Sequence, residues 1–150
     1  MRSLILDTNL LLLLAVGTFD INLVGRKRLD IFLRDDFELL RDLLDTSSRW
    51  LTTPHVLAEL NNLADQCVPR SQHDVFRQFL GQFFEWFDER WLQTQELSNT
   101  AAFRRLGLTD AAVVQLADSQ TLVLSVDLEL CSLLWGRGIN AQNFHHLRQL

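Results

Sequence analysis

Short apolar runs alternate with amphipathic stretches along most of this chain. Residues 4–6 and 121–126 are almost entirely apolar, as is typical of strands buried on both faces of a parallel sheet. Residues 50–52 are predicted to form a brief extended segment, and Gly136 and Gly138 precede a predicted last strand. Because such strands alternate with helical patterns, we predict an α/β fold with an open, mainly parallel sheet and right-handed crossovers.

Several segments carry the spacing or the caps of helices. Residues 36–44 place Phe and Leu side chains on one face, which predicts a helix that covers the sheet. Thr53 can cap a helix whose first residue is Pro54. Thr109 is predicted to cap a buried, almost wholly apolar helix that starts at Asp110, and residues 128–135 continue as another helix.

A longer helical pattern rich in aromatic residues covers residues 72–97, with a break expected near Gly81. Phe76, Phe83 and Trp91 are among the large side chains that recur at helical spacing. Such residues usually belong to the core, but a surplus face could instead pack against a second copy or another protein.

The leucine run at residues 10–16 resembles part of a membrane or secretion signal. It is too short to span a membrane, which takes about 20 apolar residues, and Asp7, Thr8 and Asn9 precede it directly. We therefore expect no membrane partner.

Length and cysteine content suggest one ordinary globular domain over residues 1–150, because 150 residues suffice for one core. Cys67 and Cys131 stand 64 positions apart, without the close pairs of a zinc site or the density of a disulfide scaffold. A reducing cytoplasm is the expected location.

Positive charge is sparse but partly clustered. The formal net charge is −5, which argues against a chain that holds nucleic acid by bulk electrostatics alone. Basic residues group at Arg26, Lys27 and Arg28, and again at Arg104 and Arg105. Either group could meet RNA phosphates, or could simply be solvated surface charge.

Four acids stand where predicted strands end or predicted helices begin: Asp7, Glu59, Asp110 and Asp127. In open parallel sheets, sites form beyond the carboxyl ends of the strands, so these side chains are expected to converge there. Carboxylates gathered in one cleft repel each other unless cations occupy it. Oxygen ligands without His or Cys favour Mg²⁺ or Mn²⁺, and this implies hydrolysis of a phosphodiester.

The ordered segments LILDTN, TPHVLAEL, LTDAAVVQLA and LVLSVD resemble the PIN domain family of metal-dependent ribonucleases, which includes toxins of bacterial toxin–antitoxin pairs. The resemblance covers nearly the whole chain, and Asp127 follows Asp110 by 17 positions. It implies a compact three-layer α/β/α sandwich, metal binding by Asp7, Glu59, Asp110 and Asp127, and RNA cleavage by activated water. It also implies that an antitoxin protein and a homodimer are plausible partners.

Three polar residues beside the acids are candidates for orienting the metal ligands. Asn9 and Ser125 resemble family positions next to the first and last aspartates, and Thr8 is a weaker candidate. Their side chains could equally serve as turn-forming or capping groups.

Other interpretations remain open. Each acid alone could be an ordinary residue, for example Asp110 as an acid favoured by the helix dipole. A noncatalytic PIN-like scaffold that binds protein or RNA is the main alternative. A haloacid-dehalogenase-like phosphatase also begins with a strand and an aspartate, but there the second aspartate should stand where Asn9 is.

Overall fold

The computed structural model describes residues 2–148, built around a five-stranded parallel sheet with helices on both faces. The strands are β1 (Ser3–Leu6), β2 (Arg49–Thr52), β3 (Asp88–Glu89), β4 (Thr121–Ser125) and β5 (Asn140–Asn143). Their spatial order is β3-β2-β1-β4-β5, and every neighbouring pair is parallel. The predicted α/β/α sandwich is thus confirmed.

The helices are α1 (Thr8–Phe19), α2 (Arg34–Leu44), α3 (Pro54–Ala64), α4 (His73–Phe84), α5 (Thr94–Ser98), α6 (Ala101–Leu106), α7 (Leu108–Leu116), α8 (Leu128–Gly136) and α9 (Phe144–Leu147). Single 3₁₀ turns lie at Ile21–Leu23, Lys27–Leu29 and Arg70–Gln72.

Helix α1 is the centre of the core. Residues 10–16 are each at most 1% exposed, so the leucine run is a helix apolar on all sides and enclosed by protein. Gly17 lets the ring of Phe37 pack against this helix, because a Cβ there would lie 2.5 Å from a ring carbon. Among residues 2–148, no helix is long and apolar enough to cross a membrane.

Helix α3 starts as its sequence predicts. The Thr53 hydroxyl accepts a hydrogen bond from the Val56 amide at 3.4 Å, and Pro54 is the first helical residue. Proline is tolerated there because its missing N–H would have no partner within the helix. The carboxyl end of β2 therefore leads directly into the helix that carries Glu59.

The long helix predicted over residues 72–97 is wrong for residues 85–93, and the break expected near Gly81 instead follows Phe84; residues 94–97 are again helical, in α5. Helix α4 ends at Phe84, and the chain then forms β3 at the edge of the sheet, where the Arg90 amide donates to the Thr52 carbonyl at 2.8 Å. Phe83 is fully buried, but Trp91 is 84% exposed. Pairing with β2 has overridden the helical spacing, since backbone bonds to a neighbouring strand are not visible in local periodicity.

Helix α7 also begins differently from the prediction. It starts at Leu108, one residue before the expected cap Thr109, and Asp110 is its third residue. Gly107 separates α6 from α7 with a φ of 92°, a backbone conformation that glycine adopts without steric cost. The side chain of Thr109 is therefore free to bond elsewhere.

Candidate functional site

Asp7 occupies the junction between β1 and α1 and is only 4% exposed. One carboxylate oxygen, Oδ1, accepts a hydrogen bond from the Leu10 amide at 2.9 Å and so caps α1. The other oxygen, Oδ2, accepts from the Val126 amide at 3.0 Å and from the hydroxyl of Ser125. These three donors fix the carboxylate at the carboxyl edge of the sheet.

Ser125 connects the first and last of the four acids. Its Oγ donates to Asp7 and accepts from the Asp127 amide, the latter at 2.9 Å. The contact arises because β1 and β4 are neighbours in register, with Leu6 opposite Leu124, so both strands end at the same level. Asp127 in turn caps α8. Ser125 thus holds the two acidic junctions together, consistent with its predicted supporting position.

Thr109 joins the other two acids, a contact that the sequence interpretation missed. Its hydroxyl donates to Oε2 of Glu59 at 2.5 Å, across 50 residues of sequence. The bond ties α3 to α7, and Asp110 is the next residue on α7. Glu59 and Asp110 are therefore presented from two helices that are locked to each other.

The four acids lie close enough for the other three to influence Asp110 electrostatically. Burial, followed by the charges of Asp127, Asp7 and Glu59, raises the pKa of Asp110 to about 7. The pKa of Asp7 is raised as well, chiefly by burial, against the lowering effect of its hydrogen bonds. Within residues 2–148, none of the four forms an ion pair with a basic side chain.

The donor types suit a hard divalent cation, but the side chains do not form a finished coordination shell. Among the described residues, no three His, Cys, Asp or Glu side chains are grouped so as to hold a metal ion. Oxygens of Asp7, Asp127 and Glu59 accept hydrogen bonds from protein donors. Carboxylates that have no basic partner among residues 2–148 nevertheless match the oxygen ligands of Mg²⁺ or Mn²⁺.

The surroundings of Asp7 contain further groups of interest. The Thr8 hydroxyl oxygen is buried and lacks a hydrogen-bond partner among residues 2–148, so it is an uncommitted oxygen at this site. Asn9 lies exposed on the first turn of α1. Cys131 is fully buried on α8, and burial together with the charges of Asp7 and Asp127 raises its thiol pKa to about 11. It is therefore an inert wall of the site.

The two basic clusters lie in different places. Arg26, Lys27 and Arg28 are exposed beyond the C-terminal end of α1, and Arg28 Nε donates to Oε1 of Gln66, which follows the end of α3. The aspartates of the site instead lie at helix N-termini. Arg104 and Arg105 are exposed in the last turn of α6, which leads directly into α7. Of the two basic clusters, the pair Arg104 and Arg105 is therefore the one that leads into a helix carrying one of the four acids, Asp110.

No family model matches the chain, and no curated protein matches it. The resemblance to PIN domains therefore stays a prediction that rests on the four segments.

The raised pKa of Asp110 predicts an unusual pH dependence of the metal-free protein. The unfolded chain releases this proton near pH 3.8, whereas the folded protein keeps it up to about pH 7, so over this window the unfolded state binds fewer protons. The free energy of unfolding should fall as pH rises through the window, and Asp110→Asn should reduce that fall.

Denaturant unfolding at several pH values in the presence of chelator tests this expectation. Asp118→Asn is the matched control, since Asp118 is an exposed turn residue. An Asp110→Asn variant with the same pH slope as the wild type would contradict the electrostatic account.

Proposed function

We propose that this protein is a metal-dependent nuclease that hydrolyses RNA phosphodiester bonds internally, an endoribonuclease. The observation that carries the proposal is geometric: Ser125 joins Asp7 to Asp127, and Thr109 joins Glu59 to the helix that carries Asp110. Within residues 2–148 none of these four acids forms an ion pair with a basic side chain. Repulsion within such a cluster destabilises the fold, and binding of a divalent cation removes the repulsion. Clusters of this kind are therefore typical of functional sites.

Asp7, Glu59, Asp110 and Asp127 would hold Mg²⁺ or Mn²⁺, directly or through water. When bound, the cation lowers the pKa of a coordinated water and stabilises charge on the scissile phosphate. Ser125 orients Asp7, and Thr109 orients Glu59, through the hydrogen bonds described above. Arg104 and Arg105 would contact backbone phosphates of the RNA near the start of α7.

The cellular role that we propose is that of a toxin in a toxin–antitoxin pair, acting in the cytoplasm. An antitoxin protein would neutralise the enzyme by covering the acidic site, and pairing as a homodimer is part of the same proposal. These expectations come from the resemblance of the four segments to PIN domains, so the activity has to be tested first.

The proposed activity is tested with labelled single-stranded RNA, purified protein and added Mn²⁺, Mg²⁺ or chelator. The nuclease proposal expects internal cuts with either metal and none with chelator. A noncatalytic scaffold would bind RNA or protein without cutting under any condition. Absence of cleavage across varied RNAs, together with absence of metal binding, would leave the scaffold as the better account.

A substitution at Thr109 tests whether Glu59 takes part. Thr109→Val keeps the shape of the side chain but removes the hydroxyl that holds Glu59. We expect the Mn²⁺ concentration for half-maximal cleavage to rise about 10- to 100-fold, as for other groups that orient metal ligands. Thr109→Ser keeps the hydroxyl and should stay near the wild-type value.

A melting curve of each Thr109 variant separates local from global effects. If Thr109→Val needs no more Mn²⁺ than the wild type, while remaining folded, Glu59 does not depend on this contact for metal binding.

A further inference from the structure

Trp91 is the most exposed large hydrophobic side chain among those described, at 84%, and it belongs to the aromatic series for which the sequence left open a core or a partner-binding role. It follows Arg90, whose amide extends the pairing of β3 with β2 by one residue. The indole is therefore attached to the sheet at the carboxyl end of β3. Because the neighbouring Arg90 is hydrogen-bonded to β2, the exposed ring of Trp91 is preorganised for contact with a ligand.

A cavity of about 450 Å³ adjoins Trp91 on one side and is mostly apolar with a polar rim. Pro54, His55 and Ala58 of α3 form one wall, and Gln93 and Thr94 supply amide and hydroxyl groups on the opposite wall. A hydrogen bond of 2.8 Å between His55 Nε2 and Thr94 Oγ1 ties the walls together. The cavity is thus pre-formed, with an aromatic face beside groups that can bond a polar edge.

A second cavity of about 620 Å³ also includes Trp91, and its charged residues include two arginines. Arg49 and Arg90 both pair with Asp88, and their side chains remain 52% and 47% exposed. Asp88 and Asp118 balance the charges of the two arginines, and the cavity reaches the first residues of β1, β2 and β4, at the sheet edge opposite Asp7. Trp91 therefore stands between this polar cavity and the apolar one, and the apolar cavity is the one that suits a base.

The apolar cavity shares helix α3 with Glu59. His55 precedes Glu59 by four residues, so both side chains lie on the same face of α3. Two strand spacings, about 10 Å, separate β3 from β1, whose end carries Asp7. A single strand of nucleic acid bound across the acids can place a neighbouring base at Trp91.

We propose that Trp91 stacks on an unpaired base of single-stranded RNA and that the cavity beside it is a substrate subsite. This inference rests on the proposed nuclease function for the identity of the ligand. The stacked base adds affinity without strong sequence preference, because every base offers a π-face. Duplex RNA cannot use the subsite, since its bases are paired and stacked on each other.

The test is fluorescence anisotropy of a labelled single-stranded RNA, measured with chelator so that metal-dependent cleavage cannot interfere. Arms with the same sequence as single-stranded DNA and as duplex RNA define the ligand. Trp91→Ala should weaken binding of the single strand roughly 5- to 150-fold. Trp91→Phe should keep most of the affinity, and binding of the duplex should not change.

Leu33→Ala is the matched control, because Leu33 is another large hydrophobic residue that is 66% exposed. Unchanged RNA affinity in Trp91→Ala would overturn the subsite, even if the protein proves to cleave RNA. A change in oligomeric state of Trp91→Ala, with RNA affinity unchanged, would assign the surface to a second copy and also overturn it. RNA binding that depends on Trp91 without any metal-dependent cleavage would support the subsite and remove the nuclease proposal.

Discussion

Replacing Asp110 by asparagine is expected to lower metal-dependent RNA cleavage at least about 100-fold, because loss of a direct metal ligand should exceed the effect of losing an outer partner. Burial and the other three carboxylates together raise the pKa of Asp110. Asparagine keeps the size of the side chain and removes the negative charge. Initial rates of RNA cleavage in Mn²⁺, compared with wild type at equal protein concentration, measure the effect.

The same replacement should leave the fold intact and even stabilise the metal-free protein near neutral pH, because it relieves repulsion between neighbouring acids. Asp42→Asn provides the control, since Asp42 is an exposed aspartate on helix α2. Cleavage that survives at the wild-type rate in Asp110→Asn would place the active site elsewhere.

Replacing Phe83 by alanine is expected to have the largest effect on stability, about 3–5 kcal/mol off the free energy of unfolding. Phe83 is fully buried, and its ring lies 5.0 Å from that of Trp86 and 5.2 Å from that of Phe87, measured between centroids. These contacts attach α4 to the chain that leads into β3. The alanine variant leaves a cavity between them. Equilibrium unfolding in urea, monitored by far-ultraviolet circular dichroism, gives the difference.

Val75→Ala on the same helix is the comparison, because Val75 is 53% exposed. It should cost well under 1 kcal/mol. Equal losses for the two variants would mean that the aromatic cluster does not anchor α4 to the sheet.

Much of the sheet could be predicted because its central strands are apolar on both faces. The strands at residues 4–6 and 121–126 were recognisable since a buried parallel strand leaves a short continuous apolar run. β4 ends one residue earlier than predicted, at Ser125. The cap at Thr53 was also predictable, because its hydroxyl and the following proline act within a few residues of each other.

The edge strand β3 could not be predicted in this way. It has only two residues, Asp88 and Glu89, and depends on backbone bonds to β2 more than 30 positions earlier. Nothing in the local aromatic spacing distinguishes β3 from a continued helix, so Trp91 was counted among aromatic residues that usually belong to the core. Exposure of that residue is a consequence of tertiary pairing.

The positions of the four acids at strand ends and helix starts predict that they converge. In the structure the other three influence Asp110 electrostatically, but no three carboxylates among residues 2–148 are grouped so as to hold a metal ion. The contact between Thr109 and Glu59 was not foreseen, since a threonine before a helical aspartate is usually read as a cap. The helix starts two residues earlier than predicted, with Gly107 as its cap, and this leaves the Thr109 hydroxyl for Glu59.

A calorimetric titration of Mn²⁺ into the wild-type protein and into the Asp7→Asn, Asp110→Asn double variant tests whether these acids form a metal centre. We expect saturable binding of at least one ion by the wild type and none by the double variant, which should still be folded. Wild-type protein that takes up no Mn²⁺, or a double variant that binds it equally well, would contradict a metal centre at these acids.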